Sequence, residues 1–266
     1  MRFPEQYAFY LKEPLQTHEA KLELELEDND GRARIERRLT KNQLSVSRPM
    51  EIDQGPDSFY IINTAGGIVQ GDRLSTRISL GKGCGAHITT QSANKIYGME
   101  HNCAVQRTSI ALAEGAYLEY LPEPGIPYAG SRSFQFNRIK LHRSSRLFCW
   151  DIAYPGRYGR NEEFGCDLYF SCTEIYIGKE PVLIDTVLMD HRRQDPGSVG
   201  VMGGKKFLAN AYAYGGEYGE FEKCLKGLSY CINDRGVLLI RMMGNDSLEI
   251  RKKLENIAGA FRKAYY

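Results

Sequence analysis

Sulfur and imidazole donors able to hold a metal ion gather in one stretch of the sequence. Cys84 and His87 stand in a Cys-x-x-His arrangement, and Met99, His101 and Cys103 alternate a little further on. In an extended strand, positions 99, 101 and 103 share one face, so thioether, imidazole and thiol would point together. Soft and borderline donors of this kind suit nickel, copper or zinc. The bland reading is that such cysteines pack in a core and such histidines sit singly on strands. Catalytic chemistry is poorly served. No Gly-x-Ser-x-Gly elbow occurs, and the five histidines, at 18, 87, 101, 142 and 191, are scattered. Glu119 and Glu123 could be posed as a pair of glycosidase acids, but sequence does not set their separation. The chain is expected not to be an enzyme.

Just before the donors lies a glycine-rich turn, Gly66-Gly67-Ile68-Val69-Gln70-Gly71-Asp72. Its glycines lack the spacing of a dinucleotide fingerprint, and no Lys-Ser/Thr pair follows as in a P-loop. No long amphipathic helix follows whose N-terminus would hold a phosphate. A tight turn between strands, with glycine at positive φ, is the better reading. Asp72 either bonds its own backbone in that turn or lines a polar channel or interface.

The composition narrows the function classes. The 266 residues can bury a sizeable core. A net charge of +2 argues against nucleic acid as the main partner. No run of about 18 apolar residues is present to cross a membrane, and the first residues lack the apolar core of a secretory signal. Seven cysteines, an odd number without the spacing of a disulfide framework, suit a reducing cytoplasm. A cytoplasmic protein with no nucleic-acid or membrane partner is expected.

The elements that must position these residues are mostly strands. Leu22, Leu24 and Leu26 alternate with Glu23, Glu25 and Glu27, which reads as an edge strand with a charged outer face. Asn29-Asp30-Gly31 then turns the chain back. Phe59–Ile62 is a short buried strand, and Leu74–Leu80 alternates as a half-buried one. A repeat of thirty residues follows, with breaks at Gly85, Gly115 and Ser145. Each break is preceded by an Ile-x-Leu strand: Ile78/Leu80, Ile110/Leu112 and Ile139/Leu141. Strands and turns at this period suggest coils stacked on one another, although a sandwich of hairpins fits the same pattern. Three prolines between Leu121 and Tyr128 make a stiff, irregular connection. Strands over Asp167–Cys172 and 174–184, the latter a hairpin, come next, then a glycine-rich loop from His191 to Gly204 expected to be mobile. Helical periodicity is confined to the last third: a short helix over Glu217–Leu228 and a clear one over Asp246–Tyr266. The second has Asp246 and Glu249 at capping-box spacing and an apolar stripe of Ile250, Leu254, Ile257, Ala258, Phe261 and Tyr265. The reading is a mainly β chain, one domain over 1–266, built as a β-superhelical stack with a C-terminal helix and one further short helix.

Several of these segments, taken together, resemble one family. GGIVQGDRL, ITTQSANKIY, LEYLPEPGIPY, GRYGRNEEF and LIDTVLMD occur in collinear order between Gly66 and Asp190 and are similar to the urease accessory protein UreD, also called UreH. The resemblance implies a non-enzymatic chaperone with a β-superhelical fold. It would join UreF and the GTPase UreG, dock on apo-urease and help deliver nickel, with a water-filled passage through UreF and UreD as the route. A dimeric assembly bridged by UreF is compatible with it, and no tightly bound cofactor is implied, only nickel in transit. Position by position, Gly66, Gly67, Gly71 and Asp72 match the glycine turn. Thr90, Gln91, Lys95 and Tyr97 match the second motif, and Glu119, Pro122, Glu123, Pro124, Pro127 and Tyr128 the proline loop. Gly156, Arg157, Glu162 and Phe164 match the later turn, where Asn161 stands in place of the family's usual glycine. An ion in transit needs exchangeable oxygen ligands, because a closed thiolate site would hold it too firmly. Asp72, Asp151 and Glu162 are therefore the expected passage or interface carboxylates, ahead of Cys84, His87, His101 and Cys103. The other reading is a β-scaffold module for a protein or carbohydrate, without a metal role.

Overall fold

The structure, a computed structural model, describes residues 4–11, 17–51, 55–215 and 218–266. The first long strand, β1 (His18–Asn29), returns as β2 (Arg32–Lys41) through Asp30 and Gly31, whose φ values of 54° and 80° are those of the tight hairpin turn expected of Asn-Asp-Gly. Next come β3 (Leu44–Val46), β4 (Asp57–Asn63), β5 (Asp72–Leu80) and β6 (Gly85–Thr90). After them lie β7 (Asn94–Ile96), β8 (Ala104–Leu112), β9 (Tyr117–Leu121), β10 (Gly125–Pro127) and β11 (Arg132–Leu141). The remaining strands are β12 (Arg146–Ala153), β13 (Leu168–Ile177), β14 (Glu180–Met189), β15 (Phe207–Tyr214), β16 (Ser229–Ile232) and β17 (Val237–Gly244). The one-turn helix α1 (Gly219–Glu222) precedes β16, and α2 (Ser247–Tyr265) ends the chain.

Two sheets face each other. The first runs β14-β13-β11-β8-β5-β1-β2 and the second β16-β17-β15-β12-β9-β6-β4-β3. From β4 to β13 the long strands alternate between the two, and neighbours within each sheet are parallel. This is a β-superhelix, each coil laid on the one before. Antiparallel strands finish it at both ends: β2 and β3 at one, β14, β15, β17 and β16 at the other. A narrow third side links the sheets, where Ile68 bridges Ile96 and β7 pairs in parallel with β10.

The Ile-x-Leu pairs of the sequence become columns. Ile78, Ile110, Ile139 and Ile175 are direct cross-strand partners, as are Leu80, Leu112, Leu141 and Ile177. All but the half-buried Ile177 are buried, and they form the heart of the core between the sheets. The steps are uneven, 32, 29 and 36 residues (110 − 78, 139 − 110, 175 − 139). Gly85, Gly115 and Ser145 therefore do not share a level: Gly85 pairs with Tyr117, and Tyr117 with Arg146. Register follows the apolar columns, and the turns absorb the difference.

Three further expectations change. Leu22–Leu26 lies in an interior strand, because β1 pairs with β5 on one side and β2 on the other. Leu24 and Leu26 extend the columns onto Ile78 and Leu80, while Glu23 on the opposite face meets Lys21 at 2.7 Å and Arg77 at 2.9 Å. The proline segment is partly a strand, since β10 pairs with β7 and the main-chain N–H of Asn94 donates to the carbonyl of Pro124 at 2.8 Å. Leu168–Cys172 and Glu174–Ile177 belong to one continuous strand, β13, which makes the expected hairpin with β14. The expected helix at Glu217–Leu228 begins outside the described residues; its later part is α1 and a 3-10 turn over Lys223–Leu225. The segment 191–204 is a series of turns.

Helix α2 lays its stripe on the outer face of the second sheet. Ile250, Leu254, Ile257, Ala258 and Phe261 are buried against Phe148, Trp150, Phe207 and Ile240. Asp246 caps the helix, its Oδ1 accepting the N–H groups of Leu248 and Glu249 at 2.8 and 3.1 Å. The 3-10 turn Glu5–Leu11 covers the outer face of the first sheet, where Tyr7 packs near Phe134 and donates its hydroxyl to Asp190 at 2.8 Å.

Candidate functional site: a polar bore through the stack

Next to the apolar columns runs a polar one. Two residues ahead of each stacked isoleucine stand Thr76, Thr108, Asn137 and Thr173, which are direct partners across β5, β8, β11 and β13. Two residues earlier again, Leu74, Gln106, Gln135 and Ser171 form a second column. Strand side chains alternate, so these residues point between the sheets with the isoleucines. Leu74, Thr76, Gln106, Thr108, Gln135 and Asn137 line a cavity of about 120 Å³, closed from the second sheet by Thr90, Tyr120 and Asp151. A smaller cavity of about 10 Å³ continues from it. It shares Tyr120, Asn137, Trp150 and Asp151 with the first and adds Thr173 and Tyr212 together with the apolar Ile110, Ile139 and Cys149.

The lining is built for water. Asn94 donates to Gln106 Oε1 at 2.8 Å, and the buried Nε2 of Gln106 finds no acceptor among the described residues, the kind of group that water satisfies in protein interiors. Asn137 donates to Thr173 Oγ1 at 3.3 Å. Asp151 sits where the two cavities meet, its Oδ2 accepting from Ser171 Oγ at 2.6 Å. Burial pushes its carboxyl above the ordinary value and nearby Asp185 adds to that, while hydrogen bonds from Ser171 and Tyr169 pull it partly back. Asp185 is itself held by Arg241 at 2.7 Å and Tyr212 at 2.8 Å. Hydroxyls, amides and the carboxylate of Asp151, with Glu123 at the wall committed to Arg251, give a hydrated cation oxygen ligands of the exchangeable kind.

The residues singled out from the sequence divide among several places. Gly66, Gly67, Thr90, Gln91, Pro122, Glu123 and Asp151 line the larger cavity. Thr90 Oγ1 accepts the N–H of Glu123 at 2.9 Å, joining two of the motifs at its wall, and Glu123 pairs with Arg251 of α2 at 2.6 Å. Pro124 lies beside it, at the entry to β10. Tyr97, Gly156, Arg157 and Glu162 meet on the narrow third side, and Lys95 of β7 lies exposed along it. There the Arg157 guanidinium lies 4.7 Å over the Tyr128 ring and pairs with Glu162, Tyr97 meets Tyr128 edge-on at 5.1 Å, and Glu162 accepts the N–H of Ala129 at 2.9 Å. The hydrogen bond from Arg157 holds the Glu162 carboxyl below its ordinary value. Asn161 adopts φ 56° and ψ 28°, the left-handed conformation a glycine would supply and the one asparagine tolerates best among the other residues. The departure from the family pattern thus leaves that turn intact.

Glu119 lies elsewhere, fully buried between the second sheet and α2. It accepts from His87 at 2.7 Å, from Tyr117 at 2.6 Å and from Arg262 at 2.8 Å. The glycine turn closes the bore toward the N-terminal end. Gly66 and Gly71 have φ of 72° and 81°, as expected, whereas Gly67 is needed for close approach: a Cβ there would stand 2.2 Å from the Tyr97 ring. Asp72 is buried just beyond, with Oδ2 accepting the N–H of Val69 at 3.0 Å. Burial raises its carboxyl, against the opposing pull of that N–H and of His18.

The sulfur donors do not assemble with the imidazoles. Cys84 and Cys103 are buried, which pushes their thiols up to about 12 and about 11. Residues 99–103 are irregular, with bends at 100–102, before β8 begins at Ala104, so Met99, His101 and Cys103 do not share a strand face, and His101 is exposed. Among the described residues no group of three or more His, Cys, Asp or Glu side chains is placed to hold a metal. The polar columns were the part that sequence reasoning missed. Their signal is plain once the Ile-x-Leu pairs are aligned, because the position two before each isoleucine reads Thr, Thr, Asn and Thr.

A two-sheet β-superhelix with a polar cavity set beside its apolar core is the class of protein that the fold and site define. A profile described as UreD urease accessory protein matches residues 18–266. The urease accessory protein UreD of Cenarchaeum symbiosum (strain A) is 30% identical over 262 residues, covering 91% of each chain. That of Staphylococcus aureus (strain bovine RF122 / ET3-1) is 32% identical over 185 residues, 69% of this chain and 66% of its own. The chain belongs to the UreD family of urease accessory proteins, and with that goes a role in urease maturation. No helix among the described residues is long and apolar enough to cross a membrane.

Proposed function

We propose that this chain is a non-catalytic, cytoplasmic chaperone that docks on apo-urease with UreF and the GTPase UreG, and that its polar bore is the path along which nickel passes in GTP-dependent delivery. The observation that supports the reading most is the polar column Thr76–Thr108–Asn137–Thr173, carried through successive coils beside an otherwise apolar core. Lining a core with hydroxyls and amides costs stability unless they are hydrogen-bonded, so a route for water and ions is a reason to keep them. Nickel here is cargo. Asp151 is the carboxylate the cargo meets midway, at the junction of the two cavities.

The test is co-expression of apo-urease and the other accessory proteins with wild-type chain, with Asp151→Asn, or without the chain. Nickel bound per urease active site should collapse without the chain and fall several-fold with Asp151→Asn, at unchanged thermal stability of the variant. Full loading in its absence would leave a binding module with no metal role. Full loading with Asp151→Asn would remove the bore's carboxylate from the mechanism.

A further inference from the structure

The glycine turn has an outer side as well as an inner one. Outside it lies an open pocket of about 630 Å³, lined by His18, Glu19, Lys41, Asn42, Gln43, Ala65, Gly67, Val69 and Asp72. Gly67 lines both this pocket and the bore. The pocket is therefore a vestibule separated from the bore by one turn of backbone.

Two of its side chains are brought together by the pairing of β1 with β5. His18 opens β1 and Asp72 opens β5, and the two are direct cross-strand partners. The His18 N–H donates to the carbonyl of Gly71 at 3.1 Å, fixing the backbone between them. Asp72 Oδ2 is committed to the N–H of Val69, which leaves Oδ1 facing His18 Nδ1 at 3.5 Å. A first-row divalent ion about 2.1 Å from each of two donors holds them about 3.0 Å apart at a right angle and about 3.4 Å apart at a tetrahedral one. The observed gap fits with a shift of a few tenths of an ångström. The Asp72 side chain is only 3% exposed while that of His18 is 51% exposed, so one donor is anchored and the other reaches into the vestibule. The Lys41 ammonium, which would repel a cation, is engaged by Glu19 at 3.2 Å.

We propose that His18 and Asp72 form a two-donor capture site for a divalent nickel-class cation in the vestibule, across the glycine turn from the bore. The inference rests on the reading of the bore as a cation path. Imidazole and carboxylate together favour nickel over calcium or magnesium, which take oxygen donors. Two protein donors leave the remaining positions to water, so the ion is held loosely enough to move on. Binding exchanges the imidazole proton, if present, for the metal, and no other bond changes.

The test uses the full chain and Ni²⁺ itself. Isothermal titration of wild type should show one Ni²⁺ site that His18→Lys weakens at least tenfold, because the lysine retains a cation beside Asp72 but cannot ligate. In histidine-labelled protein, paramagnetic Ni²⁺ should broaden the His18 ring signal before those of His87, His101, His142 and His191. Unchanged affinity in His18→Lys, or broadening that begins at another histidine, overturns the site. The bore is judged separately, by nickel loading of urease. Loss of Ni²⁺ binding in His18→Lys with normal loading keeps the site and removes it from the path. Normal binding with failed loading removes the site and leaves the path.

Discussion

A methyl group added at Gly67 would collide with the Tyr97 ring at 2.2 Å and press on the carbonyl of Lys95 at 3.0 Å. Gly67→Ala should cost about 1–3 kcal/mol in denaturant unfolding, and combining it with Tyr97→Ala should return part of that loss. The sign of the coupling is the check, since two independent losses would simply add. Glu119 makes the opposite case, a charge that the interior depends on. Burial alone would raise its carboxyl, but hydrogen bonds from His87, Arg262 and Tyr117 outweigh this and hold it below the ordinary value of 4.5. A depressed folded value contributes stability that is present above the unfolded value and is lost as pH falls through the folded one. Wild type should therefore lose stability below about pH 4.5, and Glu119→Gln should flatten that acid limb. Near neutral pH the same variant should be destabilised by about 3–5 kcal/mol, because Arg262 is left without its counter-charge in a largely buried position. Glutamine stability equal to wild type at pH 7 would show that the cluster is dispensable.

Helix α2 shows how an element is stated by local sequence. Asp246, Glu249 and the stripe from Ile250 to Phe261 are enough to place it, since caps and a 3.6-residue period are properties of neighbouring residues. The cap is one-sided, because Glu249 Oε1 turns to Lys253 at 2.6 Å. Asp246→Ala should cost about 1 kcal/mol, and Leu254→Ala, from a fully buried position, about 2–5 kcal/mol, both measured by thermal unfolding. If Leu254→Ala costs no more than Asp246→Ala, the helix is not docked on the second sheet as described. Strands are less legible singly. Glu23 and Leu24 announced a strand with one charged face, but an interior strand whose charges are paired from the next strand carries the same alternation as an edge. The proline segment hid a three-residue strand, β10, because proline removes donors without preventing its neighbours from pairing.

At the scale of the whole molecule, the apolar and polar columns oppose each other. The stack is held by Ile78–Ile110–Ile139–Ile175, while Thr76–Thr108–Asn137–Thr173, one place over on the same face, lines two polar-walled cavities beside it. Asn137→Leu should change thermal stability by no more than about 1 kcal/mol, since it trades an amide that donates to Thr173 at 3.3 Å for an apolar group. It should nevertheless lower nickel loading of co-expressed urease, because it dries the narrowest part of the path. Unaltered loading would mean that ions do not travel there.

The sequence by itself determined the kinds of element, the period near thirty residues, the C-terminal helix with its buried stripe, and the family. Each of these is carried by neighbours along the chain or by motifs in fixed order. The tertiary structure alone decided the register of the coils, which residues face the bore, and the meeting of His18 with Asp72. Uneven steps of 32, 29 and 36 residues bring Thr76, Thr108, Asn137 and Thr173 into line. No local rule sets those steps. They follow from burying isoleucine on isoleucine between two sheets, and the polar side chains on the same face are aligned as a consequence.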